Sequence, residues 1–242
     1  MSYHHPVPSR EASVLSYMGL RKLVGAIAIL LPILLLFGNW ALSGHAWEDS
    51  ISAYYYTDMR DVMVGCLCAI AVFLLSYKGY EPKDDITGNI ACVFALGVAW
   101  FPAAPDGLYL TQADIVLGRL HSLCAGGFFL TLAYFSYFLF TKGRPGLTRQ
   151  KIWRNLIYRI CGVVIVLCAV GLGLVKYLSA HMPLQGYRLT FWLEASGIWA
   201  FGWSWFVKGE GILRDDEPAA TTTTRRTRPW PRRFPSGFLG RT

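Results

Sequence analysis

Six stretches of the chain are apolar over a length that suits a membrane helix. They cover residues 23–43, 62–77, 86–101, 115–140, 160–177 and 189–207. A bilayer core of about 30 Å is crossed by about 20 apolar helical residues. The stretches lack the period-two alternation of apolar and polar residues that marks the strands of a membrane barrel. The pattern therefore predicts an all-α fold, a polytopic transmembrane helical bundle of about six spans, in which the second and third spans are the shortest.

The composition agrees with a chain that is solvated by lipid. Apolar residue types make up 54% of the chain and charged types 16%, whereas soluble domains average about 45–50% and about 25%. The six cysteines all lie in apolar stretches, and none forms a CxxC motif. We therefore expect reduced, buried thiols rather than a disulfide framework or a zinc site.

Lysine and arginine are distributed unevenly between the two sides of the predicted bundle. Of the 23 basic residues, 19 fall in the two tails and in the connections after the second and fourth spans. Cytoplasmic segments carry the excess of these residues in membrane proteins, so both termini are predicted to be cytoplasmic. The net charge of +8 is thus a topology signal. The basic face also suits anionic lipid headgroups, and no nucleic-acid recognition motif accompanies it.

The predicted domain organisation is one membrane domain between two tails. Residues 1–20 form a flexible cytoplasmic N-terminal tail, residues 21–210 the six-span domain and residues 211–242 a basic cytoplasmic C-terminal tail. The last segment buries too little apolar surface to fold, so it is expected to be disordered. Cleavage of the first span as a signal peptide is the alternative. Its apolar run exceeds the ~7–15 residues of a signal core, which favours an uncleaved anchor.

The candidate ligand-binding residues converge on the predicted outer side. Glu194 and His121 each lie about six residues inside a span, which places both about 9 Å below the outer boundary. Ionisable groups in spans are costly and usually face the bundle interior or a water-filled cavity. We therefore expect Glu194 to pair with His121 or Arg119, either for function or only to hold helices together. The full candidate set is Glu194, His121, Arg119, Asp114, Asp49, Asp61, Arg60 and Tyr55.

Three functions stay open at this stage. The first is a non-enzymatic membrane protein, a small bundle or an oligomeric pore, that binds or moves a small molecule or lipid through its outer polar cluster. The second is an intramembrane metal-dependent hydrolase, and the third is a structural or assembly protein. The chain contains no HExxH, GxSxG or P-loop motif, so no catalytic residue, metal or cofactor is predicted. The hydrolase would draw on His45, His121, His181, Asp49, Asp61, Asp106 and Ser50, which lack metal-ligand spacing.

Five segments carry a resemblance to known proteins. They are residues 50–65, 77–82, 88–102, 121–140 and 192–210, with sequences such as SISAYYYTDMRDVMVG and WLEASGIWAFGWSWFVKGE. They resemble a bacterial family of six-span membrane proteins that is distantly similar to the FRAG/DRAM-like membrane proteins, over about residues 20–214. The resemblance implies a multi-pass protein of the bacterial inner membrane. It brings no established catalytic residues, so it implies no site.

Overall fold

The computed structural model describes six α-helices and no β-strand within residues 10–79, 81–105, 109–142, 148–179, 188–209 and 212. The helices are α1 (Arg10–Ser43), α2 (Arg60–Leu75), α3 (Pro82–Trp100), α4 (Gln112–Tyr134), α5 (Arg149–Ser179) and α6 (Leu189–Lys208). A 3₁₀ helix, Ser52–Tyr56, lies between α1 and α2, and α4 continues into a π-helical turn, Phe135–Leu139. Each predicted apolar stretch coincides with one of the helices, which confirms the all-α class.

Three of these helices are long and apolar enough to cross a membrane. They contain the segments Tyr17–Ser43, Gln112–Leu139 and Arg149–Ser179. The other three, α2, α3 and α6, have 16, 19 and 20 residues. These features are consistent with a membrane protein. The count of six spans and their orientation stay predictions.

The first helix begins earlier than expected. It starts at Arg10, inside the segment 1–20 that was predicted to be a flexible tail. Polar contacts account for part of this extension, because the Tyr17 hydroxyl donates to the carbonyl of Lys78 and accepts a hydrogen bond from the Lys78 N–H. Apart from Ile212, the predicted disordered tail at residues 211–242 lies outside the described residues.

The helices pack in chain order and close on themselves. Each packs against the next along the chain, and α6 packs against α1, so the six helices form a ring. The contact between α1 and α6 depends on Gly25 and Gly202. A Cβ on Gly25 would lie 2.7 Å from the carbonyl oxygen of Gly202, closer than such atoms approach one another in proteins. Small residues at such crossings let helix backbones approach closely.

The two ends of the ring are filled differently. At the end where α1 begins and α6 ends, called the inner end after the predicted topology, buried aromatic rings pack together with centroids 5.1–6.0 Å apart. At the outer end, the loop between α1 and α2 (the outer loop, residues 44–59) folds into the ring, with Ile51 and Tyr54 buried. The inner aromatic cluster consists of Tyr77, Phe135, Phe140 and Trp205.

Candidate functional site

The outer loop begins with a sharp reversal at the end of α1. Gly44 has a φ of 76°, a left-handed conformation that glycine adopts without steric cost. Its N–H donates to the Trp40 carbonyl at 3.0 Å and so closes the last turn of the helix. The Tyr54 hydroxyl then donates to the Ala46 carbonyl within the loop. Burial raises the pKa of this phenol above its usual value, so its hydroxyl stays protonated and can keep donating.

The first residues of α6 contact the outer loop at Asp49 and Trp47. The Phe191 N–H donates to the Asp49 carbonyl at 3.0 Å. The Trp47 ring packs against the rings of Phe191 and Trp192 at centroid distances of 5.3 and 5.6 Å. These contacts anchor the loop at Trp47 and Asp49, directly before Ile51 and Ser52.

The side chain of Glu194 in α6 binds this loop from the interior of the ring. Its Oε2 accepts hydrogen bonds from the N–H groups of Ile51 at 2.6 Å and Ser52 at 3.3 Å. Its Oε1 lies 3.3 Å from the Ser52 hydroxyl oxygen. No lysine, arginine or histidine of the described chain forms an ion pair with this carboxyl group. Glu194 is therefore held by backbone dipoles and a hydroxyl group, without a compensating cation.

His121 of α4 reaches the same hydroxyl from the other side. Its Nε2 lies 3.0 Å from the Ser52 Oγ, and its Nδ1 lies 2.7 Å from the carbonyl oxygen of Phe101. A carbonyl oxygen only accepts hydrogen bonds, so Nδ1 must carry a proton. In a neutral ring Nε2 is then an acceptor, and the Ser52 hydroxyl is its donor.

Ser52 therefore links Glu194 to His121. Its hydroxyl group has one proton and is within hydrogen-bond distance of both neighbours. In the first arrangement the Ser52 hydroxyl donates to Nε2 of His121, and a protonated Glu194 carboxyl group donates to Ser52 Oγ. When the imidazole is charged, the hydroxyl proton points to a Glu194 carboxylate instead. The two arrangements have the same net charge, and each satisfies the three groups by hydrogen bonds.

A cavity of about 50 Å³ lies beside these three polar groups. That volume holds a few water-sized groups. Apart from Glu194, Ser52 and His121, the cavity is lined by apolar side chains of five of the helices, among them Leu31, Leu67, Val98, Phe128 and Ile198. Among the described residues, no lysine and no arginine lines the cavity. Its polar end faces the outer loop, and its apolar part extends into the ring.

The structure brings only two of the eight predicted site residues to this cavity. Asp114 instead caps α4, where its Oδ2 accepts from the Thr111 hydroxyl at 2.7 Å and from the Thr111 N–H at 2.9 Å. Arg119 is exposed on α4 and has no hydrogen-bond partner in the described part of the chain. A pair of Glu194 with Arg119 is therefore not formed. The pair with His121 is formed through Ser52.

The remaining candidates lie at the surface of the outer end. A guanidinium N–H of Arg60 donates to the Tyr55 hydroxyl at 2.7 Å, and the guanidinium carbon stacks 4.2 Å from the centre of that ring. Asp61 is exposed in the first turn of α2. The side chain of Asp49 is exposed, and its contribution is the backbone carbonyl bonded to Phe191.

The hydroxyl group that joins the site was missed from the sequence. Ser52 belongs to a polar loop with a second serine, Ser50, and the sequence offers no periodicity that shows which of them points inward. In the structure, the Ser50 Oγ accepts from the Ala53 N–H at 2.9 Å and starts the 3₁₀ helix. That helical turn directs Ser52 to the interior. Both serines flank the apolar Ile51 in the sequence, so the sequence signals a hydroxyl beside a buried residue without showing which serine it is.

The structure bears on two further expectations, the state of the cysteines and the positions of the residues considered for a metal site. All six cysteines are free thiols, as predicted. Within the described residues, no group of three His, Cys, Asp or Glu side chains is close enough to hold a metal ion. His45 is exposed at the surface of the outer loop. His181 and Asp106, which the metal-dependent alternative also used, lie outside the described residues.

No protein-family model, curated protein or solved structure matches the chain. The fold and the geometry of the outer cavity are therefore the observations that bear on function.

Proposed function

We propose that the chain is a six-span protein of the bacterial inner membrane, with both termini in the cytoplasm, that binds an amphiphilic molecule with a neutral polar end. The ring of six helices and the three helices long enough to cross a bilayer support the membrane part of the proposal. The 19 basic residues on one predicted side support the orientation. This basic side would face the anionic headgroups of the cytoplasmic leaflet.

The observation that carries the proposal is the composition of the cavity wall. Glu194, Ser52 and His121 form a hydrogen-bonded group at one end, and the rest of the wall is apolar. Such a cavity matches a molecule with a polar end and a hydrocarbon chain, because each part then meets groups of its own polarity.

The charge of the cavity wall indicates which polar group the ligand carries. A phosphate or carboxylate ligand would bring a negative charge next to Glu194, with no lysine or arginine in the lining to compensate it. Uncompensated buried charges cost several kcal/mol or more in a low-dielectric interior, on the order of the Born penalty. A hydroxyl or carbonyl group carries no such penalty and can hydrogen-bond to Ser52, His121 and Glu194. The ligand is therefore a neutral-headed lipid or a similar amphiphile.

Binding requires the cavity to widen. At about 50 Å³ it accommodates only a short part of a hydrocarbon chain. Met63 of α2 lines the cavity, and methionine is an unbranched side chain that adapts easily to a new neighbour. We expect the chain of the ligand to displace the Met63 side chain while its polar end stays at Ser52.

A cavity-filling substitution tests the proposal. Ala125 lines the cavity, whereas the neighbouring Gly126 faces open space. Monoolein should raise the melting temperature of the detergent-solubilised protein, and oleoyl lysophosphatidylglycerol, which has the same chain and an anionic head, should not. Ala125→Leu should abolish the shift with monoolein, and Gly126→Leu should retain it. Equal shifts with both lipids, or a shift that survives Ala125→Leu, would contradict a neutral-ligand cavity.

The topology has its own test. Reporter fusions after Asp58 and Met182 should indicate the periplasm, and fusions after Pro82, Gly146 and Asp216 should indicate the cytoplasm. A fusion at Asp216 that reports the periplasm would contradict the six-span arrangement. Cleavage after the first span would support the signal-peptide alternative.

A purely structural role of the polar network is the competing function. Its support is that Glu194 fastens the outer loop by two backbone hydrogen bonds. Glu194→Gln separates the two roles. Its amide oxygen can still accept from the N–H groups of Ile51 and Ser52, but its NH2 group can only donate to the Ser52 oxygen and cannot accept from the Ser52 hydroxyl as a carboxylate does. The structural role predicts an unchanged monoolein shift in a normally folded Glu194→Gln protein. The binding role predicts a weaker one.

A further inference from the structure

We propose that Ser52 is an activated nucleophile and that the protein hydrolyses a carboxylic ester bound in the outer cavity. This inference rests on the proposed function, because it names the reaction for which the amphiphile is bound. The geometry that leads to it is the contact between Ser52 and His121, the direction of two backbone N–H groups, and the apolar cavity beside them.

The contact between Ser52 and His121 has the geometry of a nucleophile and its base. Ser52 Oγ lies 3.0 Å from His121 Nε2, within the range in which an imidazole takes the proton of an attacking hydroxyl. The Phe101 carbonyl accepts from Nδ1 at 2.7 Å, which keeps the proton on Nδ1 and leaves Nε2 free to accept. A third group that orients the base in this way is the recurring arrangement of nucleophilic catalysis.

Two backbone N–H groups beside the nucleophile converge on one oxygen atom. The N–H groups of Ile51 and Ser52 both point to Oε2 of Glu194, at 2.6 and 3.3 Å. Catalytic oxyanion sites use pairs of backbone N–H groups at about 2.7–3.1 Å from the developing charge. In the structure the Glu194 oxygen occupies the place that the oxyanion would take. The state seen here is therefore a closed one, in which the side chain of Glu194 must turn away before an ester can bind productively.

The apolar cavity places the ester correctly for attack. Its polar end contains Ser52 and His121, and its wall is otherwise apolar. An acyl chain in the cavity would put its carbonyl group at the junction, next to Ser52 Oγ. No lysine or arginine of the described residues lines the cavity, so the alcohol part of the ester at this junction should be neutral, as in a glyceride or a simple alkyl ester.

The reaction proceeds in two balanced steps. Ser52 Oγ attacks the carbonyl carbon, and its proton moves to His121 Nε2. The bond from that carbon to the alcohol oxygen then breaks, and His121 gives its proton to the departing alcohol. In the second step His121 takes a proton from water, and the resulting hydroxide attacks the carbonyl carbon of the acyl group on Ser52. The bond from that carbon to Ser52 Oγ then breaks, the carboxylic acid leaves, and His121 returns the proton to Ser52 Oγ. Water is the only co-reactant, and no electron transfer is involved.

The neighbouring Ser50 provides a matched control. It has the same side chain in the same loop, but its hydroxyl oxygen accepts from the Ala53 N–H, and no histidine of the described residues forms a hydrogen bond with it. An alkyl fluorophosphonate reacts with activated serines only: the oxygen–phosphorus bond forms and fluoride leaves. Mass spectrometry of the labelled wild-type protein in detergent should find the adduct on Ser52 and not on Ser50. This mapping needs no variant, so it stays informative even if a substitution disturbs the loop.

Variants then test whether His121 is the general base and whether Glu194 blocks the two N–H groups. Ser52→Ala should abolish labelling, Ser50→Ala should retain it, and His121→Gln should slow it by at least about 100-fold, the usual contribution of a general base. Glu194→Ala, in protein that still melts cooperatively, should label faster than wild type because the N–H pair is vacated. Absence of a Ser52 adduct, or labelling that is unaffected by His121→Gln, would overturn the nucleophile assignment.

The same experiments separate this inference from the proposed function. If monoolein binds and Ala125→Leu blocks it, but no Ser52 adduct forms, the protein is a binding protein and the hydrolase is wrong. If neither occurs, the cavity itself is not a ligand site. Release of oleic acid from monoolein by wild type, its loss in Ser52→Ala protein that still melts cooperatively, and its retention in Ser50→Ala protein would support both.

Discussion

Two carboxyl groups at opposite ends of the bundle are held in different ways. At the inner end, Asp84 of α3 accepts from Lys142 Nζ at 2.8 Å and from the Glu81 N–H at 3.2 Å. At the outer end, Glu194 accepts from two backbone N–H groups and contacts a hydroxyl, without a cation. Asp84 is fully buried, whereas Glu194 lines a cavity.

The difference indicates which end is built for stability and which for a ligand. The inner carboxylate has almost no solvent-accessible surface. The inner aromatic cluster fills the same end of the ring, where Lys208 Nζ donates to the Phe140 carbonyl at 2.9 Å. At the outer end the carboxyl group, the hydroxyl and the imidazole keep free space next to them. A charge that is paired and tightly surrounded holds helices together. A group that is unpaired and next to a cavity can change its partner when a ligand arrives.

The largest effect is expected at the inner end. Asp84→Ala should lower the free energy of unfolding by about 3 kcal/mol, the lower part of the range for breaking a buried ion pair, because Lys142 still reaches solvent. Glu81, which contacts the same Lys142 at 3.1 Å from an exposed position, is the control. Glu81→Ala should cost about 1 kcal/mol, mainly through the loss of the α3 cap. Equal losses in detergent unfolding experiments would show that burial does not distinguish the two carboxylates.

Glu194 should give the next largest effect, and its size should depend on the replacement. Glu194→Ala leaves the N–H groups of Ile51 and Ser52 without an acceptor, which should cost about 2 kcal/mol. Glu194→Gln keeps an acceptor oxygen and should cost less than about 1 kcal/mol. The same unfolding measurement reports both values. A loss with Gln as large as that with Ala would mean that the outer carboxylate is as structural as the inner one.

Two serines, one at each end, should lose about the same free energy of unfolding when they are replaced by alanine. At the inner end, the buried Ser136 and Ser204 hydroxyl oxygens lie 2.9 Å apart. Ser136→Ala and Ser52→Ala should each lower stability by about 1 kcal/mol, the usual contribution of one hydrogen bond. Fluorophosphonate labelling should be lost only in Ser52→Ala. A variant at Ser136 that loses labelling while staying folded would break the division between the two ends.

The smallest effect is a pH dependence at the inner surface. The Gly79 N–H at 3.0 Å, and then Lys78 at 3.3 Å, hold the pKa of Asp85 below its usual value. A carboxyl group with a lowered pKa in the folded state stabilises the protein above its unfolded pKa, and this contribution is lost as pH falls below about 4. The melting temperatures of wild type and Asp85→Asn should therefore differ slightly at neutral pH and converge in acid. A difference in melting temperature that grows as the pH falls would contradict a lowered pKa of Asp85.

Local patterns predicted the helices but only part of the site. Glu194 and His121 stand out in the sequence because ionisable residues are rare in apolar stretches, and the structure brings them to one cavity. Asp114 also stood out, yet its role is explained by the local capping pattern with Thr111 three residues earlier. The contribution of Ser52 depends on contacts across 69 and 142 residues. The fold of the outer loop decides these contacts, and no periodicity in the loop encodes it.

The most direct test of the central claim is a photocrosslinking experiment. A monoacylglycerol with a diazirine in its chain would be incorporated into the membrane-embedded protein, activated by light, and its adducts mapped by mass spectrometry. If the outer cavity binds a neutral amphiphile, adducts should form on cavity residues such as Leu67 and Phe128, and excess monoolein should suppress them. Adducts confined to outward-facing residues such as Leu123 and Val170, with no competition by monoolein, would contradict the claim.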